Sequence, residues 1–269
     1  MMNDPLKENA EGHTFLTDLH SHLLPGIDDG AKDASESVKL LKLEYDSGVR
    51  QIALTSHFDC EKISLSDFLV SRRASCLQMQ QAVADSGYEW SGLTLKTGAE
   101  VFFSPNLCSV EPEELCIQGT PFLLLELPTE MMPAYFSETI YRLQACGITP
   151  VIAHVERYFY VMNDLPILCD WIDQGMYIQI NAGTILNGGS LAKLCLKLIK
   201  WNMCHVLAGD VHSVNRRPPD LSEGLHAVSA RLGQSAADRL IHNADLMFNG
   251  REPIIKEMHY PRKFLKRWR

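Results

Sequence analysis

Short apolar runs alternate along the chain with longer stretches in which apolar residues recur at helical spacing. Seven runs are mostly apolar, as expected for parallel strands that are covered on both faces. They span residues 15–19, 51–55, 93–99, 121–125, 149–153, 177–180 and 205–208. Because each run precedes a helical stretch, the pattern favours an α/β architecture over an all-α or all-β one.

Helix boundaries follow from capping residues at the start of each helical stretch and glycines near its end. The first two helices are expected from about residue 35 to Gly48 and from residue 66 or 67 to about Gly87. Further helices are expected over residues 133–147, 166–175, 190–201, 223–232 and 235–243. Because no glycine-rich dinucleotide loop follows the first strand, the pattern predicts a closed or nearly closed barrel, with an open doubly wound sheet as the alternative.

The composition fits a single globular domain with tails at both ends. The chain has 269 residues, of which 46% are hydrophobic and 22% are charged, and this is enough for one large buried core. No stretch resembles a linker or a low-complexity tract. We therefore expect an N-terminal extension over residues 1–14, one domain over residues 15–250 and a basic tail over residues 251–269.

Membrane spans and broad nucleic-acid binding are both disfavoured by the sequence. No apolar run approaches the roughly 20 residues of a spanning helix, and residues 1–12 are charged where a signal peptide is apolar. These features predict a cytoplasmic protein. The formal net charge of −8 argues against sequence-independent binding of nucleic acid and is consistent with carboxylates that bind cations.

The cysteines do not point to chemistry of their own. The chain has eight, and no two form a C-x-x-C pair, which excludes the usual zinc-ribbon and redox motifs. None is followed six positions later by arginine, the spacing that a cysteine-dependent phosphatase needs to hold phosphate against its thiolate. We therefore expect buried thiols rather than a cysteine nucleophile.

Almost every predicted strand is followed by a side chain that can bind a metal ion. In a parallel barrel these positions share one rim, at the C-terminal ends of the strands. His20 and His22 are two residues apart, so both imidazoles point to the same side of an extended segment, and Asp210 and His212 repeat this spacing. The strand-end side chains are Asp18, His20, His22, Asp28, Asp29, His57, Glu100, Glu126, His154, Asn181, Asp210 and His212.

This donor set exceeds the four ligands of a single structural zinc ion, so the sequence predicts a site for two or three ions. Mixed imidazole and carboxylate ligands suit manganese, iron or zinc. Such ions lower the pKa of water and neutralise charge on phosphoryl oxygens, which is hydrolase chemistry. Arg157 and the Arg216-Arg217 pair follow predicted ligands closely and suit phosphate binding; the alternative is surface arginines paired with Glu156 or Asp220.

Four segments together resemble a known superfamily. They are T-D-L-H-S-H-L-L-P-G-I-D-D-G at 17–30, G-A-E at 98–100, T-P-V-I-A-H-V-E-R-Y at 149–158, and G-D-V-H with R-R-P-P within 209–219. The chain resembles the polymerase-and-histidinol-phosphatase (PHP) superfamily, and within it the bacterial manganese-dependent protein-tyrosine phosphatases of capsule and exopolysaccharide gene clusters. The similarity covers about residues 17–249.

The resemblance implies a distorted seven-stranded (β/α)7 barrel that removes phosphate from tyrosines in the tail of a bacterial tyrosine autokinase controlling polysaccharide export. It implies Mn²⁺ as the cofactor and Arg157 and Arg217 as the phosphate-contacting residues. The implied arrangement has one ion on His20, His22, Glu100 and Asp210, a second on Glu100, Glu126 and His154, and a third on Asp29, His57 and His212.

Two features depart from the family pattern. Many relatives carry a basic residue directly after the second-strand histidine, whereas Phe58, Asp59 and Cys60 follow His57 here, which predicts an apolar and acidic rim. The second departure is the basic, aromatic tail over residues 251–269. It is interpreted as a solvated tail, as a peripheral contact with anionic lipid, or as a contact with a neighbouring subunit.

Three other functions share parts of this pattern. A PHP phosphatase for a small molecule such as histidinol phosphate shares the ligands but needs a more enclosed pocket. An amidohydrolase also opens with H-x-H but commonly uses a carboxylated lysine where Glu100 and Glu126 stand here. A non-catalytic PHP binding module is expected to have lost ligands, and none is lost here.

Overall fold

The computed structural model describes residues 15–264, 267 and 268 of the chain. The predicted N-terminal extension over residues 1–14 lies outside the described residues, as do Lys266 and Arg269 of the basic tail. Strands and helices alternate along the described chain as the sequence pattern predicts.

The strands are β1 (Leu16–Ser21), β2 (Val49–Leu54), β3 (His57–Phe58), β4 (Thr94–Thr97), β5 (Glu100–Phe102), β6 (Phe122–Glu126), β7 (Thr149–Ile152), β8 (Tyr177–Asn181), β9 (Val206–Ala208), β10 (Lys263–Phe264) and β11 (Arg267–Trp268). The α-helices are α1 (Ala34–Asp46), α2 (Leu65–Asp85), α3 (Phe136–Ala145), α4 (Phe159–Asn163), α5 (Pro166–Asp173), α6 (Ala182–Leu186), α7 (Gly189–Lys200), α8 (Leu221–Leu232) and α9 (Gln234–Phe248). The short helices α4 and α6 were not predicted.

The strands from β1 to β9 pair in parallel and form a curled sheet. One part has the order β1-β2-β4, and the other has the order β3-β5-β6-β7-β8-β9. Ser21 at the end of β1 forms a parallel bridge with Val211, which follows β9. The N–H of Asp210 also donates to the carbonyl of His20 at 2.9 Å. The first strand therefore contacts the segment after the last strand of the curl.

Two of the predicted strands are each followed in the structure by a second, short strand that was not predicted. The run at 51–55 forms β2 and is followed by β3, and the run at 93–99 forms β4 and is followed by β5. The reason is a local irregularity at which the N–H of Glu100 faces the carbonyls of both Thr55 and Ser56, at 3.0 and 3.1 Å. Such an irregularity bends the strand and redirects the side chains that follow it.

The interior of the curl is apolar at the N-terminal ends of its strands. Leu19, Leu124 and Val151 meet Met247 and Phe248 of α9 in one buried cluster. A larger core lies between the outer face of the sheet and the surrounding helices. Because α9 covers the N-terminal end, the polar strand ends are left at the opposite rim. No helix within the described ranges is long and apolar enough to cross a membrane.

The basic tail packs back onto the domain over its described residues. Pro253 and Pro261 are buried. Tyr260 donates its hydroxyl to Asp173 at 3.0 Å, and the ring of His259 lies 5.5 Å from that of Trp201. The described part of this segment is therefore held along α5 and α7.

Candidate metal centre

The end of β1 places two histidines at the centre of the rim. His20 and His22 are fully buried, and their Nε2 atoms lie 3.1 Å apart. The following loop folds back over His22, with the N–H of Ala31 donating to the His22 carbonyl at 3.0 Å. A Cβ at Gly30 would lie 2.1 Å from that carbonyl oxygen, so only glycine allows this close approach.

The folded loop brings Asp28 against His22. Asp28 Oδ2 lies 2.8 Å from His22 Nδ1 and accepts the N–H of His57 at 3.0 Å. Burial opposes ionisation of Asp28, but the partners around it, His22 foremost, hold its pKa well below the usual value. This contact fixes the His22 ring so that Nε2 faces the cluster, the arrangement of a carboxylate behind a metal-binding histidine.

Glu100, at the start of β5, is the most connected carboxylate of the cluster. It is 1% exposed, and its Oε1 lies 2.7 Å from His154 Nε2. Its Oε2 lies 3.2 Å from the Nε2 atoms of both His20 and His22 and 3.1 Å from His57 Nδ1. Burial alone would raise the pKa of Glu100, but the positive charge of His20 and the contact with His154 lower it well below the usual value.

The predicted ligands form three overlapping groups whose donor atoms lie within 4.8 Å of one another. The groups are His20, His22, Glu100 and Asp210; then His22, Asp29, His57 and His212; and then His57, Glu100 and Glu126. The first two contain the sets that the resemblance implies. In the third, His57 stands where His154 was expected, although His154 Nε2 lies 3.7 Å from Glu126 Oε1.

The donor set fits divalent cations. Burial lowers the pKa values of His57, His154 and His212, and a neutral imidazole offers the lone pair that a metal ion requires. Glu100 Oε2 and His212 Nε2 are buried, and although Glu100 Oε2 lies close to three ring nitrogens and His212 Nε2 lies 3.3 Å from Asp29 Oδ1, neither atom has a partner aligned for a hydrogen bond in the described structure. Ring nitrogens and carboxylate oxygens that converge in this way are costly unless protons or cations lie between them.

Backbone strain marks two of these positions. His154 has a φ of 29° and Asp210 a φ of 54°, both in the left-handed region that non-glycine residues seldom adopt. Each residue lies two positions after the last residue of a strand and aims its side chain into the cluster. Strain of this kind persists where the surrounding structure holds the residue in place, and it is frequent at functional sites.

Glu126 and Asp210 differ in their electrostatic surroundings. Burial, followed by the negative charge of Glu100, raises the pKa of Glu126 to about 7. Burial also opposes ionisation of Asp210, but the charges of His20 and Arg157 hold its pKa well below the usual value. Asp210 is therefore held as an anion by positive neighbours, whereas Glu126 is not.

Both predicted phosphate-binding arginines reach the cluster. Arg157 Nη2 lies 2.6 Å from Asp210 Oδ2, and Arg217 contacts Asp210 at 3.3 Å and Asp29 at 3.2 Å. The alternative pairing with Glu156 or Asp220 is wrong. Glu156 instead accepts hydrogen bonds from the N–H of Asn181 and the hydroxyl of Thr184, which ties the loop after β7 to α6.

The expected apolar rim after His57 is also wrong in part. Phe58 is 1% exposed, and its ring packs 5.0 Å from that of Phe68, so it faces the core. Asp59 does lie near the surface but pairs with Lys62 at 2.9 Å. The pleat of a strand sends successive side chains to opposite faces, which is why Phe58 turns inward when His57 turns towards the cluster.

Sequence reasoning missed Gln179 and did not assign roles to Asn181 and Asp18. Gln179 Oε1 accepts the N–H of His154 at 2.8 Å, and the Asn181 side chain donates to Asp210 at 2.8 Å. Asp18 accepts the N–H groups of His20 and Gly209. Period-two spacing on β8 puts Gln179 on the same face as Asn181, and this was the available signal.

The chain is similar in sequence to proteins that have been described. Residues 16–249 match the family described as "Capsular polysaccharide synthesis, CpsB/CapC". CapC of Staphylococcus aureus is 30% identical over 214 residues, covering 76% of this chain and 79% of that protein. Tyrosine-protein phosphatase YwqE of Bacillus subtilis is 27% identical over 251 residues, covering 92% of this chain and 97% of that protein.

A solved structure confirms the fold. It is described among crystal structures of YwqE from Bacillus subtilis and CpsB from Streptococcus pneumoniae as unique metal-dependent tyrosine phosphatases. It matches this chain with a TM-score of 0.81 and 24% identity, covering 90% of this chain and 98% of that one. Since the family match spans the curled sheet and every residue of the cluster, this chain belongs to the CpsB/CapC family of capsular polysaccharide synthesis.

Proposed function

We propose that this chain is a metal-dependent phosphatase that hydrolyses phosphotyrosine in proteins. The observation that carries the proposal is the contact of Arg157 and Arg217 with Asp210, at 2.6 and 3.3 Å, within a cluster of buried metal-ligand side chains. This puts two guanidinium groups, which suit phosphate, beside groups that suit divalent cations. Relatives named tyrosine-protein phosphatases support the same activity.

The proposed ligands are His20, His22, Asp29, His57, Glu100, Glu126, His154, Asp210 and His212. We assign them to two or three Mn²⁺ ions, with iron or zinc as alternatives, because imidazole and carboxylate donors suit all three metals. Bound divalent ions supply an activated water and neutralise charge on phosphoryl oxygens. The overlap of the three donor groups at Glu100 and at the histidines supports more than one ion.

The protein's own residues then bind and orient the substrate. Arg157 and Arg217 are each about one third exposed and can turn from Asp210 towards a phosphoryl group. A phenolate leaving group, with a tyrosine pKa near 10, departs without the strong general acid that an alkyl phosphate needs. This chemistry favours an aryl phosphate such as phosphotyrosine over histidinol phosphate.

The bridge between Ser21 and Val211 supports the finer description of the fold as a distorted seven-stranded (β/α)7 barrel of the PHP type. Its active site would lie at the C-terminal ends of the strands. We propose domain limits of residues 15–250, with a basic tail from residue 251. The family match over residues 16–249 supports these limits.

The proposed substrate is the phosphotyrosine tail of a bacterial tyrosine kinase that controls capsular or exopolysaccharide export, on the cytoplasmic side of the membrane. The family's description as capsular polysaccharide synthesis supports this choice. The rim is also open enough for a peptide, since the Asp29 side chain is 63% exposed and that of His57 is 35% exposed.

A peripheral contact with anionic lipid through the basic tail is part of the proposal. Lys193, Lys197 and Lys200 are exposed on α7, and Lys197 donates to the carbonyl of Trp268 in the tail. Clustered lysines on an acidic protein suit an anionic surface. Cosedimentation with vesicles of phosphatidylserine and phosphatidylcholine should decrease in high salt, and equal binding to pure phosphatidylcholine would contradict the contact.

The catalytic proposal is tested by comparing phosphate release from a phosphotyrosine peptide and from histidinol phosphate. The purified chain is stripped by chelation and then reconstituted with manganese. We expect turnover of the peptide to disappear on chelation and return with manganese, at a metal content above one ion per chain. Preferential turnover of histidinol phosphate would identify a small-molecule phosphatase instead.

A further inference from the structure

A cleft opens beside the ligand cluster, on the side of the two arginines. Its volume is about 300 Å³, and it lies between the loop after β7, the helix α6 and the loop after β9. Arg157, Arg217 and Asp210 form the end nearest the cluster. Any phosphoryl group that contacts both guanidinium groups therefore lies at this end of the cleft.

Two apolar side chains line this otherwise polar cleft. They are Leu186, at the end of α6, and Pro218, which follows Arg217. Leu186 is 42% exposed, whereas Ile185 beside it is fully buried in the core. Exposed leucine surface gains free energy when an apolar group covers it, at about 25 cal/mol per Å².

Leu186 stands on a well-anchored element. Thr184 of α6 donates its hydroxyl to Glu156 at 2.8 Å, and the N–H of Asn181 donates to the same oxygen at 3.0 Å. Glu156 directly precedes Arg157 in the chain. The buried Glu156 therefore fixes the position of Leu186 relative to Arg157. A pocket for a phosphate on a rigid side chain needs such a fixed geometry.

The size of the cleft suits an aromatic ring. A cavity of roughly 150 Å³ holds benzene, so about 300 Å³ accommodates a phenyl ring and adjoining peptide atoms. The guanidinium groups of Arg157 and Arg217 also attract the face of an aromatic ring. An alkyl phosphate, such as phosphoserine, reaches the same arginines but leaves the apolar walls uncovered.

From these contacts we propose that the cleft binds the aromatic ring of phosphotyrosine, with Leu186 and Pro218 as its apolar walls. This inference rests on the proposed phosphatase function and names the part of the substrate that the site selects. Leu186 is then a specificity-determining residue that contributes to binding and leaves the metal ligands and the phosphate contacts untouched.

The test measures binding of two phosphonates to the manganese-loaded protein by titration calorimetry. Phenylphosphonate carries the ring, and methylphosphonate lacks it. The variants are Leu186→Ala and the conservative Leu186→Met. Leu191→Ala is the matched control because Leu191 is 40% exposed on α7 and does not line the cleft.

We expect the wild type to bind phenylphosphonate more tightly than methylphosphonate. Leu186→Ala should weaken phenylphosphonate binding by about threefold to tenfold, as expected from lost apolar contact, with methylphosphonate unchanged. Leu186→Met and Leu191→Ala should keep the preference. On a phosphotyrosine peptide, Leu186→Ala should raise KM by a similar factor with kcat within twofold.

Equal binding of the two phosphonates, failure to bind either, or a ring preference that survives Leu186→Ala would overturn the proposal. These outcomes are separate from failure of the proposed function. If the wild-type protein binds phenylphosphonate through Leu186 but releases no phosphate from the peptide, the proposed ring-binding cleft is supported and the proposed phosphatase function is contradicted.

Discussion

Two clusters of buried carboxyl groups lie close together in this molecule and behave in opposite ways. In the ligand cluster, positive neighbours lower the pKa values of Glu100 and Asp210 despite burial. Behind it, burial raises the pKa of Asp18 to about 6 and that of Glu44 well above the usual value. Glu44 is fully buried and Glu100 is 1% exposed, so burial does not explain the difference.

The difference lies in what faces each carboxyl group. Histidines and arginines surround Glu100 and Asp210, whereas Glu44 faces the negative charges of Asp18 and Asp220. Desolvation acts in the same direction on both clusters, and counter-charge decides the outcome. A carboxylate kept ionised by positive neighbours can exchange those charges for a metal cation, whereas one kept protonated behind the strand ends has a structural role.

The largest expected effect comes from exchanging Glu100, one of these two buried glutamates, for glutamine. Glu100→Gln removes an anionic donor shared by two of the metal-ligand groups. Loss of an outer-shell partner typically costs about tenfold to a hundredfold, so loss of a ligand should reduce turnover by at least roughly a hundredfold and lower the metal content. Glu44→Gln is the matched control and should change turnover by less than about threefold. Equal losses in both variants would abolish the distinction between the clusters.

The next largest effect is expected from replacing the two arginines that bring positive charge to Asp210. Arg157→Ala and Arg217→Ala should each lower kcat/KM roughly tenfold to a hundredfold, because a charge-assisted phosphate contact contributes about 1.5–3 kcal/mol. The metal content should stay constant, and the exposed Arg231→Ala serves as control. Unchanged kcat/KM with a lower Tm would show that the two arginines are structural.

Asp28→Asn tests whether a carboxylate outside the ligand set orients one of its histidines. Without the anion 2.8 Å from His22 Nδ1, the ring loses its fixed orientation, and manganese affinity should fall about tenfold to a hundredfold. Turnover at saturating manganese should recover most of the loss. Asp59→Asn, which removes a surface pair with Lys62, should leave affinity unchanged. Wild-type affinity in Asp28→Asn would contradict the role.

The smallest expected effect is that of Glu44→Gln on the stability of the fold. Its sign follows from the raised pKa of Glu44, which is caused first by burial and then by the negative charge of Asp18. The folded state binds the proton more tightly than the unfolded state, so the Glu44 contribution to stability is lost as pH rises above the ordinary value of 4.5. Glu44→Gln should match the wild type near pH 4.5 and be more stable at pH 8, by on the order of 1–2 kcal/mol.

Urea unfolding of both proteins at the two pH values measures this difference. The exposed Glu89→Gln variant should show none. The opposite result would be a Glu44→Gln variant that loses stability relative to the wild type between pH 4.5 and pH 8. It would show that Glu44 is ionised and paired in the folded protein.

The positions of most strands, and the residue types that follow them, could be predicted because these are local features. Apolar runs and the i, i+2 spacing of His20 and His22 are visible in the chain itself. The short strands β3 and β5, which follow the second and third runs, were not predictable, because they depend on Glu100 meeting the carbonyls of Thr55 and Ser56 in the distant segment between β2 and β3. The contacts of Arg157 with Asp210 and of Arg217 with Asp29 likewise join distant parts of the chain.

The sequence alone therefore determined the kind of chemistry: which side chains follow the strands, and that they are imidazoles, carboxylates and guanidinium groups. Only the tertiary structure decided how they divide into groups, that Phe58 faces the core, and that Gln179 contacts His154 and Asp28 contacts His22. The reason is physical. Local patterning depends on neighbouring residues, whereas desolvation and counter-charge depend on distant residues that the curled sheet brings within a few ångströms.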